Sequence, residues 1–226
     1  MGLPALPAPE AVAHHFAAAL AAARRDEQPY RHWLLADVLP DALAIHILAL
    51  PIAPPVIDDC HGVRDRHNDR RSFFTPRLRG RHPACARLAE GLQRPEVARA
   101  FAETCGVGVA GGYLRIEYIQ DLDGAWLEPH RDIPEKLFSM VIYLCTGPDA
   151  PTWGTDIYDA ARHWVGRSSA EFNSAVIFVP GPATWHGFEP RPIEGVRRLM
   201  EINYVRADWR DRDQLAFPDR PISLAG

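Results

Sequence analysis

The stretch Leu127-Glu128-Pro129-His130-Arg131-Asp132 runs on, past Pro134, into Phe138-Ser139-Met140-Val141-Ile142-Tyr143-Leu144-Cys145, a near-continuous apolar segment. Residues i and i+2 of an extended backbone point to the same side, so His130 and Asp132 can offer an imidazole and a carboxylate to one ion from a single short segment. The pattern alone is weak. With ten histidines in 226 residues, about one His-x-Asp arises by chance, and the chain holds a second, His67-Asn68-Asp69. That copy sits among Asp65, Arg66, Arg70 and Arg71 without a flanking strand signal, and reads as a solvated charged loop. His130-x-Asp132 differs in context: it follows a strand and a polar turn over residues 120–124, and it leads into the strongest strand of the chain.

A third ligand must come from elsewhere. His186 stands in Thr184-Trp185-His186-Gly187, at the end of another strand and its turn, with Trp185 and Phe188 as a low-dielectric wall. Two histidines and one carboxylate hold iron(II) by one face and leave the other open to oxygen and a co-substrate, which points to an oxidising enzyme. One strand later, Arg197, Leu199, Glu201 and Asn203 share a face, and Val196, Arg198, Met200, Ile202 and Tyr204 share the other. A guanidinium in so apolar a strand needs a partner, because an unpaired buried charge costs several kcal/mol. A dicarboxylate co-substrate gripped by a bidentate fork would supply one; an internal ion pair with Glu201 or Glu194 is the other reading.

Outward from these residues, short β-rich runs follow Gly106: 112–120, 138–145, 156–158, 174–179 and 196–205, separated by Gly, Pro and Asp turns. Such a succession suits a sandwich or barrel. The first half is different. Residues 9–25 predict a helix with Pro9 in its first turn, 30–39 a short strand, 41–50 a helix stopped by Pro51 to Pro55, and 83–105 helical structure broken near Pro95. The stretch from Asp58 to Arg81 reads as a long loop, with arginines at 64, 66, 70, 71, 77, 79 and 81. The expected organisation is one domain, α+β but mainly β, in which residues 1–105 give helical support and a substrate-side loop and 106–210 form the catalytic core.

Composition narrows the partners. A net charge of −4 gives no overall basic field, so neither nucleic acid nor an anionic membrane surface is favoured. Cys60, Cys85, Cys105 and Cys145 match neither a paired zinc site nor a dense disulfide scaffold and read as reduced. The N-terminus has neither a basic secretion-signal start nor a membrane-spanning run, so the chain reads as cytoplasmic. Oligomeric state is left open.

From Tyr113 to Val205 the chain resembles the iron(II)- and 2-oxoglutarate-dependent oxygenases of the prolyl-hydroxylase-like group. The motifs that carry the likeness are Arg115-Ile116-Glu117-Tyr118, Pro129-His130-Arg131-Asp132, Ile142-Tyr143-Leu144, Trp153-Gly154-Thr155-Asp156-Ile157-Tyr158, Thr184-Trp185-His186-Gly187, and Gly195-Val196-Arg197-Arg198-Leu199 with Ile202-Asn203-Tyr204-Val205. The resemblance implies a double-stranded β-helix, or jelly roll, with supporting N-terminal helices. It implies that His130, Asp132 and His186 ligate Fe(2+), that Arg197 binds the far carboxylate of 2-oxoglutarate, and that Tyr118 hydrogen-bonds this co-substrate. Tyr143 is a further candidate for the co-substrate, although its side chain could equally face the core of the sheet. The resemblance further implies O2 as the oxidant and release of succinate and CO2, with ascorbate as a candidate auxiliary reductant. The expected substrate is a free small molecule, with anionic groups to match the arginines of 64–81; a protein side chain, as in prolyl hydroxylases, is second. From another class, a jelly roll that holds metal or sugar without turnover would have no need of a buried Arg197.

Overall fold

The computed structural model describes residues 2–56, 62–63 and 71–225. Two antiparallel sheets face each other as a jelly roll. The larger contains β1 (Arg24–Asp26), β2 (His32–Leu35), β3 (Ser72–Phe73), β4 (Tyr113–Asp121), β6 (Ser139–Tyr143), β9 (Ser174–Phe178) and β11 (Arg197–Val205), in the order β1-β2-β9-β6-β11-β4-β3. The smaller contains β5 (Leu127–His130), β7 (Asp156–Tyr158), β8 (Trp164–Arg167) and β10 (His186–Phe188), in the order β5-β10-β7-β8.

Alternation along the central strands divides the core. On β11, Met200, Ile202 and Tyr204 join Leu114, Ile116 and Tyr118 of β4 and Met140 and Ile142 of β6 in a cluster roofed by helices. Those helices are α1 (Pro9–Ala21), α2 (Asp41–Leu48), α3 (Pro76–Arg81), α4 (Pro83–Leu92) and α5 (Pro95–Cys105). Proline opens α1, α3, α4 and α5, where its missing N–H is one that a helix start leaves unbonded anyway. Gly106, at φ +70°, takes the left-handed turn that ends α5. The opposite face of the same strands is turned toward the smaller sheet: Ile119, Tyr143, Val176 and Leu199 pack with Trp153, Phe188 and Ile193.

Two expectations for the N-terminal half need correction. The first helix ends at Ala21, not Arg25, and Arg24–Asp26 pairs antiparallel with His32–Leu35 as the sheet's edge. Of the stretch expected to be a loop, residues 57–61 and 64–70 lie outside the described residues, but Ser72–Phe73 pairs with β4 and Pro76–Arg81 is helical. The Thr75 hydroxyl accepts from the Leu78 amide (3.3 Å), a cap that starts this short helix. Among the described residues Cys85, Cys105 and Cys145 are free and buried, and burial pushes the Cys85 thiol up to about 12. No described helix is long and apolar enough to cross a membrane.

Candidate metal centre

His130 ends β5 and His186 opens β10, and the antiparallel register sets them opposite each other. Their rings lie 4.3 Å apart between centroids. Gly187 allows the close pairing: a Cβ there would come within 2.8 Å of the Leu127 carbonyl oxygen. Asp132 follows two residues after His130, and one ligand atom from each of the three lies within 4.8 Å of those of the other two. Nε2 of His186 is 3.9 Å from Oδ2 of Asp132.

The hydrogen bonds around the histidines fix which nitrogen is available. Nδ1 of His130 is 2.9 Å from the Glu128 carbonyl oxygen, and Nδ1 of His186 is 3.1 Å from that of Thr184. A carbonyl can only accept, so both Nδ1 atoms carry a proton, which leaves Nε2 of each ring as the atom that can offer a lone pair to an ion. This is the arrangement in which a second partner orients a metal-binding imidazole. Burial, together with His130, pushes the His186 imidazole down to about 4 against the pull of Asp132, which keeps it neutral. For Asp132 burial acts in the opposite sense, but the charge and hydrogen bond of Lys136 together with His186 hold the carboxyl below the usual range. A neutral His186 and an ionised Asp132 are the protonation states that a divalent metal requires of these two ligands. The donor set fits iron(II).

The triad opens into a cavity of about 440 Å³ that Arg197 also lines. Arg197 is 3% exposed. Its partner is neither Glu201 nor Glu194: Nη1 meets Oδ2 of Asp121 at 2.5 Å, Nε donates to the Trp153 carbonyl at 2.7 Å, and the guanidinium lies 3.9 Å from the centroid of Phe188. The β4–β11 register, which sets Arg197 opposite Asp121, decides this pairing. Among the described residues no hydrogen bond reaches Nη2. Ile119, Leu199, Phe178 and Phe188 supply apolar cavity walls.

The two tyrosines expected at the co-substrate are placed elsewhere. Tyr118 lies on the helix-side face of β4, in the cluster with Leu114 and Ile116, and its hydroxyl donates to the Ile47 carbonyl at 3.4 Å. The alternation that buries Leu114 and Ile116 under the helices carries Tyr118 with them and turns Arg115, Glu117 and Ile119 to the other side. Tyr143 does face the smaller sheet, but Thr155 lines the cavity in its place. The Tyr143 hydroxyl is held by Thr155 Oγ1 (2.5 Å) and Ser168 Oγ (2.8 Å) and accepts from the Thr155 amide (2.9 Å).

Sequence reading missed a band of buried charge beside the triad. Lys136 bridges Asp132 and Glu201; Arg115 bonds Glu117, Asn203 and Gln214; and Arg71 makes a double hydrogen bond to Glu117. A signal was present in Arg115-x-Glu117, two charges sharing the face opposite the apolar residues of one strand.

No family model and no curated protein matches the sequence. Solved structures do match in fold. A Pseudomonas putida prolyl-4-hydroxylase superposes with a TM-score of 0.55 at 17% identity, over 90% of this chain and 97% of that one. A Burkholderia pseudomallei oxidoreductase of the 2-oxoglutarate–iron(II) oxygenase family gives 0.55 at 16%, over 91% and 96%. A prolyl hydroxylase from Trichoplax adhaerens, in complex with a hypoxia inducible factor oxygen degradation domain peptide fragment, gives 0.57 at 11%, over 87% and 90%.

These matches overturn the expectation of a small, anionic molecule as partner, since several are prolyl hydroxylases and one holds a peptide. The structure removes part of the original reason as well. Arg71 is engaged by Glu117, and Arg79 donates to the Ala216 carbonyl and stacks on Phe217, so neither guanidinium is held out to an anion. Arg64, Arg66 and Arg70 lie outside the described residues. A triad of two histidines and one carboxylate, on a fold shared with these proteins, supports an iron(II)- and 2-oxoglutarate-dependent oxygenase reaction in general.

Proposed function

We propose that this protein hydroxylates a side chain within a polypeptide, of the prolyl type, using iron(II), 2-oxoglutarate and O2. The observation that carries the reading is the meeting, in one cavity, of three converging metal donors with a buried arginine. His130, Asp132 and His186 hold the iron. Bound iron supplies the oxidative decarboxylation of 2-oxoglutarate to succinate and CO2, coupled to oxidation of an unactivated C–H bond.

The protein's own groups set the conditions. Arg197 offers Nη2 to the far carboxylate of 2-oxoglutarate while Asp121 and the Trp153 carbonyl hold the rest of the guanidinium. The Thr155 hydroxyl lines the same cavity, fixed from behind by Tyr143. Phe178, packed 4.3 Å from the His186 ring, and Phe188 exclude water from the metal side. A polypeptide substrate is supported by the fold's likeness to prolyl hydroxylases, one of them bound to a peptide.

The test is a library of proline-containing peptides incubated with protein, iron(II), 2-oxoglutarate and air, read by mass spectrometry. A peptide should gain one oxygen atom in a 2-oxoglutarate-dependent manner, and lose that gain with Asp132→Ala. Turnover of 2-oxoglutarate without oxygen incorporation into any peptide would refute the substrate class.

A further inference from the structure

Both oxygens of Asp132 are held by neighbouring side chains. Oδ1 accepts from Nζ of Lys136 at 2.6 Å and Oδ2 accepts from the Ser139 hydroxyl at 2.5 Å. The serine has no choice of direction. Its oxygen receives a hydrogen from Nδ2 of Asn203 (3.2 Å), so its own proton goes to Asp132. The orientation of Asn203 is fixed in turn: its Oδ1 accepts from Arg115 (2.8 Å), and its Nδ2 also faces the Phe138 carbonyl (3.2 Å).

Lys136 is equally constrained. Its ammonium reaches Oε1 of Glu201 at 2.5 Å, its side chain is 12% exposed, and its backbone bridges to Val205 of β11. Glu201 is steadied by Arg115, 3.6 Å away, and Arg115 by Glu117. Three cations, Arg71, Arg115 and Lys136, thus alternate with three carboxylates, Glu117, Glu201 and Asp132, and the band ends on the metal ligand.

The two oxygens of Asp132 are not equivalent in this setting. Oδ2 is the atom near His186 Nε2, on the metal side, and Oδ1 is tied to an ammonium fixed by Glu201. A carboxylate free to turn can chelate an ion through both oxygens. One whose second oxygen is bonded to a buried cation cannot do so without breaking a charge-assisted hydrogen bond. We infer that Lys136, anchored by Glu201, is a positioning residue that restricts Asp132 to binding metal through one oxygen and so keeps three positions of a six-coordinate ion open. The role goes beyond the ligand set, and it rests on the metal-centre reading but not on the identity of the substrate.

Manganese(II) is the probe, and water-proton relaxation counts the exchangeable waters on the ion. Lys136→Met/Glu201→Gln removes one cation and one anion together, which avoids leaving the glutamate as an uncompensated buried charge. With Mn(II) saturating, this variant is expected to show relaxation enhancement about a third below wild type, as the second oxygen of Asp132 takes one of three open positions. Lys136→Gln, which keeps an uncharged donor, is the second variant and should fall in the same direction by less. A merely structural role would change stability and leave the water count alone. Wild-type enhancement in both folded variants overturns the inference, whereas failure of the wild-type protein to bind Mn(II) overturns the metal centre beneath it.

Discussion

Replacing Arg197 by glutamine separates the structural role of this arginine from its proposed one. In the folded chain it stabilises: it is 3% exposed and meets a partly buried Asp121 carboxylate at 2.5 Å. Removing one member of such a pair strips the other of its charged partner and costs about 3–5 kcal/mol. In the proposed function, its Nη2 meets the co-substrate. A hydrogen bond between charged groups contributes about 1.5–3 kcal/mol, so its loss weakens 2-oxoglutarate binding about 10- to 150-fold. The two effects part company in the double variant Arg197→Gln/Asp121→Asn. With both charges gone, urea unfolding should recover most of the lost stability, because a buried pair replaced as a unit is close to neutral, while 2-oxoglutarate affinity stays low. The assays are urea denaturation followed by tryptophan fluorescence and an anaerobic titration of the iron(II)-loaded protein with 2-oxoglutarate. A folded Arg197→Gln protein with wild-type affinity would refute the anchor, and recovery of affinity in the double variant would show that the loss came from misfolding.

Three further perturbations follow from the same structure. Tyr118→Phe deletes a 3.4 Å bond to the Ile47 carbonyl and a hydrogen bond with Arg198, both away from the cavity, so stability should fall by no more than about 2 kcal/mol and 2-oxoglutarate affinity should not move; a tenfold loss would return Tyr118 to the site. Gly187→Ala puts a methyl group against the Leu127 carbonyl between the two histidine strands, so metal affinity measured by Co(II) titration should drop by more than the melting temperature suggests. Unchanged Co(II) binding would show that the spacing of these strands is not critical. Glu117 is buried, which alone would raise its pKa, but Arg71 and Arg115 hold it below the ordinary glutamate value of 4.5. A depressed folded-state pKa gives stability that is full above the unfolded value and lost as pH falls through the folded one. Glu117→Gln should therefore be less stable at neutral pH but lose less on acidification below pH 4.5, as followed by thermal melts; a parallel decline would contradict the pairing.

The central strands were legible because their alternation is strong. The division of β11 into an inner face with Arg197, Leu199 and Glu201 and an outer face with Met200, Ile202 and Tyr204 is what the structure has. The same rule, applied to β4, puts Tyr118 with Leu114 and Ile116, against what the family motif implies, and the side chain lies under the helices. Of the short strands, 156–158 was legible between its turn residues, but two others were not. Trp164–Arg167 and His186–Phe188 hold too few residues for a periodicity and exist through their neighbours. The partner of Arg197 was hidden for a different reason, since Asp121 lies 76 residues away and only the β4–β11 register joins them. Lys136 belongs to a turn with no pattern to read, and its importance appears only when Glu201 of β11 is folded against it.

His130, Asp132 and His186 are proposed to form an iron site that takes 2-oxoglutarate beside Arg197. Anaerobic addition of iron(II) and then 2-oxoglutarate to the full chain tests it most directly. A visible charge-transfer band between iron and keto acid should appear in wild type, vanish in His186→Ala, and require higher 2-oxoglutarate in Arg197→Gln. Absence of the band in wild-type protein at saturating iron(II) and 2-oxoglutarate would show that these residues do not form such a site.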